Sequence, residues 1–540
     1  MVNLASVPIR FARFVCVLVF TGLLCAPAVA QKIESISVCS PTGTGGAGSC
    51  PHGTFDTHQI VLAPDGSGNA INSYDGMVGI SDEHQSIFAP GALQSNNDYL
   101  FFVASRVTGG APSTGVVVLS GGSGPDKNGQ WTLGFPTADG YGSYASAYGT
   151  IFVAPTGPNC PTVADGNPAH QDSTFDLTYA APGSVVIDPT SRPGSLLMVY
   201  EGTNTCFGIT SGPNNGNNFY SSVGIATSAD YGHTWPTYRG TTGFSFDQLP
   251  KQNSSQGPGA TMGASGSSVC VGNDCTTTPS VNYGRYPVLS PSVSIGTATA
   301  LGTPLPSSMG DSEMSGFVDD AGPNPAAYIY AVYDYKAGTG VLTDASAPNS
   351  GLMIARAQLN GGTAPLSFLK WNRSSFAGAG MGGHDTPVFP SGSFSNCEGP
   401  AQLRYGASIS YVDVVQQYLL TFVCDSPGDP ALGQVAGAPR GGAWFYSTTN
   451  SLSDQTQWTP PQEIAGSWAD FDQSGGCSSY KGFYPTLMSP GAKTGHLSTS
   501  GYVFYLFGCQ TDNTPPPGRQ YSSRAFTITL GAARHRAVKH

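Results

Sequence analysis

Ala181-Pro182-Gly183-Ser184-Val185, followed after a turn by Leu196-Leu197-Met198-Val199-Tyr200, decides the fold because the arrangement recurs. The other copies are Ala89-Pro90-Gly91 leading to Tyr99-Leu100-Phe101-Phe102 and Tyr286-Pro287-Val288 leading to Tyr328-Ile329-Tyr330. Gly399-Pro400-Ala401 leads likewise to Tyr418-Leu419-Leu420, and Tyr484-Pro485-Thr486 to Tyr502-Val503-Phe504-Tyr505. A strand pair repeated at so long a period marks a radial array of small sheets rather than one sandwich. The expectation is an all-β, five-bladed β-propeller of four-stranded antiparallel blades.

Third strands recur as well. Gly115-Val116-Val117-Val118-Leu119 runs toward Trp131, Ser222-Val223-Gly224-Ile225-Ala226 toward Trp235, Leu352-Met353-Ile354-Ala355 toward Trp371, and Ala443-Trp444-Phe445-Tyr446 toward Trp458. Ser228-Ala229-Asp230-Tyr231-Gly232-His233-Thr234-Trp235 resembles the Asp-box of sialidase-type propellers. That resemblance implies a structural turn in which Asp caps amides, Gly adopts positive φ and Trp packs into the blade. After Phe526-Thr527-Ile528-Thr529-Leu530 the fifth unit lacks a fourth strand, and His58-Gln59-Ile60-Val61-Leu62 is expected to supply it and close the ring from the N-terminal side.

Residues 1–30 read as a signal peptide: Arg10 and Arg13, an apolar stretch from Phe14 to Leu24, and Ala28-Val29-Ala30 before the cut. Residues 31–50 then form a disulfide-stapled arm, 51–530 a single propeller domain, and 531–540 a disordered basic tail. No later run reaches the ~20 apolar residues of a membrane helix, so a secreted product without membrane insertion is expected. Only 10% of residues are charged, against 72 Gly and 42 Pro, which suits tight turns between short strands. Removing the signal takes two arginines and no acid, so the net charge falls from −11 to −13. Such a surface disfavours nucleic acid, which is bound through Lys and Arg. A monomer is expected.

Ten cysteines follow the signal, an even number that favours disulfides in an exported chain. Cys397 and Cys424 bracket one hairpin and Cys477 and Cys509 another, which brings each pair within bridging range. Cys160 and Cys206 bracket the second unit more loosely, and sequential pairing extends to Cys39 with Cys50 and Cys270 with Cys275. The segment Asn253–Ser280, rich in Gly, Ser and Thr, is expected to be a surface loop.

In a propeller the first strands of all blades converge on one axis, so chemistry is sought just upstream of each repeated Pro. There the chain carries Asp82-Glu83-His84-Gln85, Asp172 and Asp176, Tyr283 and Arg285, Glu398, and Tyr480, Lys481 and Tyr484. Cys397-Glu398-Gly399-Pro400 and the position of Asp176 resemble the five-bladed propeller glycosidases, the arabinanase, α-arabinofuranosidase and β-xylosidase group. The resemblance implies Glu398 as general acid, with Asp82 or Asp176 as general base or pKa modulator. The chain departs from that group at Asp82-Glu83-His84, where an Asp-Pro is usual, and at Arg285, where an acid is usual. Hydrolysis with inversion needs one protonated carboxyl and one ionised one about 6.5–9.5 Å apart. Arg285 is expected to bind ligand, and Tyr179, Tyr283, Tyr480 and Tyr484 to stack on sugar faces. Glu398 capping turn amides, Asp176 capping a strand and Arg285 in a structural ion pair stand as the bland alternatives. Gly310-Asp311-Ser312 has the look of a nucleophile motif but is read as part of an insert.

No cofactor or metal ligand set is expected, with a calcium ion on the axis left open. The reading is a secreted glycoside hydrolase acting on a polysaccharide or oligosaccharide. The alternative is a non-catalytic carbohydrate-binding propeller, and a third reading, a sialidase, would need several arginines where only Arg285 stands out.

Overall fold

Period-two alternation and short apolar runs between Gly- and Pro-rich turns give strands, and the computed structural model is built almost wholly of them, with a single 3-10 turn at Gln455–Gln457 among the described residues. The residues described are 31–39, 60–62, 78–80, 86–93, 97–107, 113–126, 131–133, 150–153, 159–160, 179–204, 212–213, 220–232, 235, 285–291, 309–321, 328–336, 350–362, 366–389, 404–427, 439–467, 480–509 and 520–532. The signal peptide and the C-terminal residues from 533 on lie outside them, as do the Asn253–Ser280 segment and Cys50, Cys206, Cys270, Cys275, Cys397 and Cys477.

The strands form antiparallel units in chain order. The first has Leu100–Val107 paired on one side with Val78–Ile80 and Ser86–Phe88 and on the other with Ser113–Ser120, which pairs in turn with Thr150–Val153. The second runs Tyr179–Ile187, Leu196–Asn204, Tyr220–Ser228, Arg285–Leu289. Next come Met309–Asp319, Tyr328–Lys336, Ser350–Gln358 and Leu369–Trp371, with Phe376–Ala379 added outside. Arg404–Val412, Gln417–Pro427, Pro439–Thr449 and Gln462–Glu463 follow. The last unit is Tyr480–Met488, Ser500–Cys509, Gln520–Ala532 and, from the other end of the chain, Gln31–Val38.

Apolar side chains fill the space between successive units. Val199 and Tyr200 share a cluster with Met314 and Tyr333, Phe317 and Val332 with Ile409 and Phe422, and Trp444 and Val423 with Val503 and Phe526. Phe504 and Met488 of the last unit pack with Phe101 and Trp131 of the first, Trp131 standing edge-on to Phe504 at 5.4 Å. Each large side chain so buried contributes roughly 1.5–3 kcal/mol, so the faces between sheets carry most of the stability. The turn tryptophans Trp131, Trp235, Trp371 and Trp458 are all buried.

Two expectations are corrected here. The strand joining the last unit is Gln31–Val38, with Gln31 opposite Ala532 and Val38 opposite Phe526. Ile60–Leu62 pairs instead, in parallel, with Trp131–Leu133. Residues 31–38 are therefore not an arm: Ile33, Ile36 and Val38 are buried in the core beside Trp444 and Phe526. The second correction concerns Tyr286-Pro287-Val288, which belongs to the fourth strand of the second unit, hydrogen-bonded to Tyr220–Ser228. The first strand of the third unit is Met309–Asp319, which contains the Gly310-Asp311-Ser312 run taken for an insert.

Cys39 and Cys424 each take part in a disulfide. At the Ser228–Trp235 turn the Ser228 hydroxyl donates to Asp230 at 2.8 Å and accepts from the Gly232 amide at 3.0 Å, while Trp235 donates to the Gly232 carbonyl. Tyr231 and Gly232 both adopt positive φ.

Candidate active site

The first strands share a local irregularity. Register shifts fall between Pro182 and Ser184, Ser312 and Ser315, Tyr405 and Ser408, and Phe483 and Thr486. Such bulges re-aim the side chains that follow. The hydroxyl residues after them, Ser184, Ser315, Ser408 and Thr486, line one cavity of about 100 Å³ together with Ser86 of the first unit. Ser184 and Ser315 lie 3.1 Å apart, Ser86 accepts from the Val185 amide at 2.6 Å, and Ser408 donates to the Pro485 carbonyl at 2.9 Å. These bonds stitch neighbouring first strands together around the cavity.

The bulge residues differ in an informative way. Gly406 sits at φ +60, as expected of glycine, but Glu313 and Tyr484 adopt φ 49 and 56 at the corresponding places. For residues with a Cβ that conformation costs about 1–2 kcal/mol, a strain that accumulates where something other than stability fixes the side chain. Glu313 is half-buried, and its amide donates to Glu201 Oε2 at 2.9 Å. Glu201 itself is buried, on the second strand of the neighbouring unit.

Behind Glu313 lies a closed ionic group. Lys370 Nζ stands 3.1 Å from Asp311 Oδ2 and 2.7 Å from Asp385 Oδ1, and donates to the Ser290 and Gly383 carbonyls at 2.8 and 3.1 Å. Tyr333 donates to Asp385 at 2.7 Å. Burial, reinforced by the Asp385 charge, pushes the Asp311 carboxyl up to about 8 despite Lys370. Burial disfavours the Lys370 ammonium, but Asp311 and Asp385 more than offset this and hold it charged. Two acids thus share one ammonium and one extra proton. With Asp311 and Lys370 wholly buried, the group anchors the start of the Met309–Asp319 strand rather than meeting a substrate.

Asp82, Asp176, Glu398 and Tyr283 lie outside the described residues. Their chain neighbours are placed: Asp82 falls in sequence between Val78–Ile80 and Ser86–Phe88, Asp176 just before Tyr179, and Glu398 before Arg404. Tyr179 and Tyr480 open the first strands of their units. Arg285 does not, since it begins a fourth strand at the far side of its sheet from Tyr179–Ile187. Tyr484 is only 2% exposed and wedged against Gly406, so its ring offers no face for a sugar. Glu201 and Glu313 were not read from the sequence. The signals were a charge closing the apolar run Leu196–Tyr200 and an acid inside Gly310-Asp311-Ser312-Glu313.

Calcium favours several carboxylate ligands. The described lining of the cavity offers neutral hydroxyls, and Asp320, its carboxylate, is already paired with Lys493 and His496. Those residues do not fit a calcium ion.

No family model matches the chain, and no curated protein does. Among solved structures it is similar to the catalytic domain of a GH62 α-L-arabinofuranosidase from Coprinopsis cinerea, at 11% identity over 84% of this chain and 93% of that one, TM-score 0.37. It is also similar to an endo-1,5-α-L-arabinanase from Thermotoga petrophila, at 11% identity over 84% and 75%, TM-score 0.35. Levansucrase of Bacillus subtilis aligns at 10% identity over 89% and 91%, TM-score 0.36. None of these likenesses assigns a role to a residue.

Proposed function

We propose that the chain is an exported five-bladed propeller glycosidase that hydrolyses a polysaccharide or oligosaccharide with a pair of carboxyl groups. The observation that carries this reading is the convergence of Ser86, Ser184, Ser315, Ser408 and Thr486, from five first strands, on one cavity. Glu313 and the segments holding Asp82, Asp176 and Glu398 each precede one of those hydroxyls in the chain, and in this reading the acids gather at the same end of the cavity. In this reading Glu398 is the acid, Asp82 or Asp176 the base or pKa modulator, and Tyr179 and Tyr480 flank the sugar. Closure of the ring by Gln31–Val38, sequential disulfides and a monomeric state belong to the same proposal.

A second reading, a sugar-binding propeller without turnover, is favoured by one observation: the Glu201 carboxylate is engaged by the Glu313 amide and Asp311 by Lys370. The sialidase reading loses its arginine, because Arg285 starts a fourth strand.

The test is turnover of aryl glycosides and dyed polysaccharides by the mature protein and its Glu398→Gln variant, with glycan binding measured in parallel. Hydrolysis lost in the variant while binding persists supports the glycosidase. Binding without turnover in both proteins rejects it in favour of the second reading.

A further inference from the structure

The loop from Ser489 to Thr499 joins the first two strands of the last unit, and its residues Ala492–His496 line the axial cavity at the end away from the bulges. His496 lies between two neighbouring units. Its Nδ1 is 2.7 Å from Asp413 Oδ1 and its Nε2 2.7 Å from Asp320 Oδ1. Asp320 directly follows the first strand Met309–Asp319, and Asp413 the first strand Arg404–Val412. Lys493 pairs with the other oxygen of Asp320, and the Tyr411 ring stands 5.4 Å from the imidazole. Asp319, next along, accepts from Tyr418 at 2.6 Å.

A neutral imidazole has one N–H and one bare lone pair, so it can donate to only one carboxylate; the imidazolium donates to both. The observed geometry therefore belongs to the charged ring, and losing its proton sets a lone pair against a carboxylate oxygen. We propose that His496 is a pH-sensitive latch: as imidazolium it staples the 489–499 loop to the ends of two neighbouring first strands and shuts that end of the cavity, and as imidazole it drops this staple, leaving the loop held there by the backbone bonds of Gly495 and Leu497 to Tyr411 and Asp413. The contact to Asp413, the more exposed carboxylate, gives first, because Lys493 also holds Asp320.

Burial disfavours the charged ring, but hydrogen bonds to Asp320 and Asp413 outweigh it and raise the His496 pKa above its ordinary 6.5. Burial would raise the Asp320 pKa, yet His496 and Lys493 hold it low, and burial pushes Tyr411 above its ordinary 10. The latch is thus fully closed below the ordinary histidine value and loosens as pH rises through the raised one.

Hydrogen–deuterium exchange of peptides spanning 489–500, corrected for intrinsic rates, tests this at about pH 5.5 and about pH 9. Protection should fall about tenfold or more at the higher pH, while the Gln417–Pro427 strand stays unchanged. In His496→Gln, which has no group to titrate, protection should be the same at both. Equal protection in the unaltered protein, or a pH response surviving in the variant, overturns the proposal. Should His496→Gln not fold, Asp413→Asn serves: its amide bonds to the neutral ring as well, so the response should shrink, and an undiminished one is equally fatal.

Discussion

Asp311 keeps a proton that an isolated aspartate gives up near 3.8, holding it to about 8. A carboxyl with a raised folded pKa binds more protons folded than unfolded, so its contribution is whole below the ordinary value and is lost as pH rises to the raised one. Asp311→Asn imitates the protonated form. Urea midpoints at about pH 5 and about pH 8 should therefore differ less in the variant than in the parent. Lys370→Met is expected to cost about 3–5 kcal/mol by leaving Asp311 and Asp385 without their cation, seen as a lower midpoint in the same titration. This group was illegible in the sequence because its members lie 59 and 74 positions apart in the chain from Asp311, and no local pattern links them. Glu313 was hidden differently: its signal is a backbone angle, and an acid in a polar run says nothing about φ.

At the level of strands, the bulges set how closely neighbouring units approach. A Cβ on Gly183 would stand 1.9 Å from the Met314 carbonyl oxygen, so two first strands touch through the bare backbone. Gly183→Ala is expected to destabilise by about 2–3 kcal/mol, measured by chemical denaturation. A negligible effect would mean the bulge can shift. The repeated Pro, which revealed the units, also misplaced one of them, for a physical reason. Proline cannot donate to a ladder and is confined to edge strands and bulges, and a four-stranded unit has an edge at both its first and its fourth strand. Pro182 and Pro485 mark first strands, but Pro287 marks a fourth. The true first strand, Met309–Asp319, has no proline and begins Met-Gly-Asp-Ser-Glu, with Asp311 paired to Lys370 and the Glu313 amide to Glu201.

Across the whole molecule the two chain regions farthest apart in sequence are the ones sewn together. The Arg524 guanidinium is buried and donates to the carbonyls of Cys39, Gly466 and Ser467, tying the N-terminal strand, the preceding unit and the C-terminal strand at one point. Arg524→Met is expected to cost about 2–4 kcal/mol through unpaired carbonyls, read by denaturation, with proteolysis first appearing near residue 39. Ile33, Ile36 and Val38 do not keep strict alternation, because the register breaks after Ile33, and a short polar segment beside a Gly-rich run reads as an arm until its partner is known. Gln31 faces Ala532, so the seam spans roughly 500 residues of chain. The entropy of closing a loop grows only logarithmically, about 0.6 kcal/mol per doubling, so the length of that span is cheap; its timing is not. A ribosome delivers residue 31 first and residue 532 last, and until then the opening strand has no partner. Birth order, rather than distance, makes this seam the final stitch, and a circular permutant with its ends joined there would trade the longest wait in folding for a hairpin.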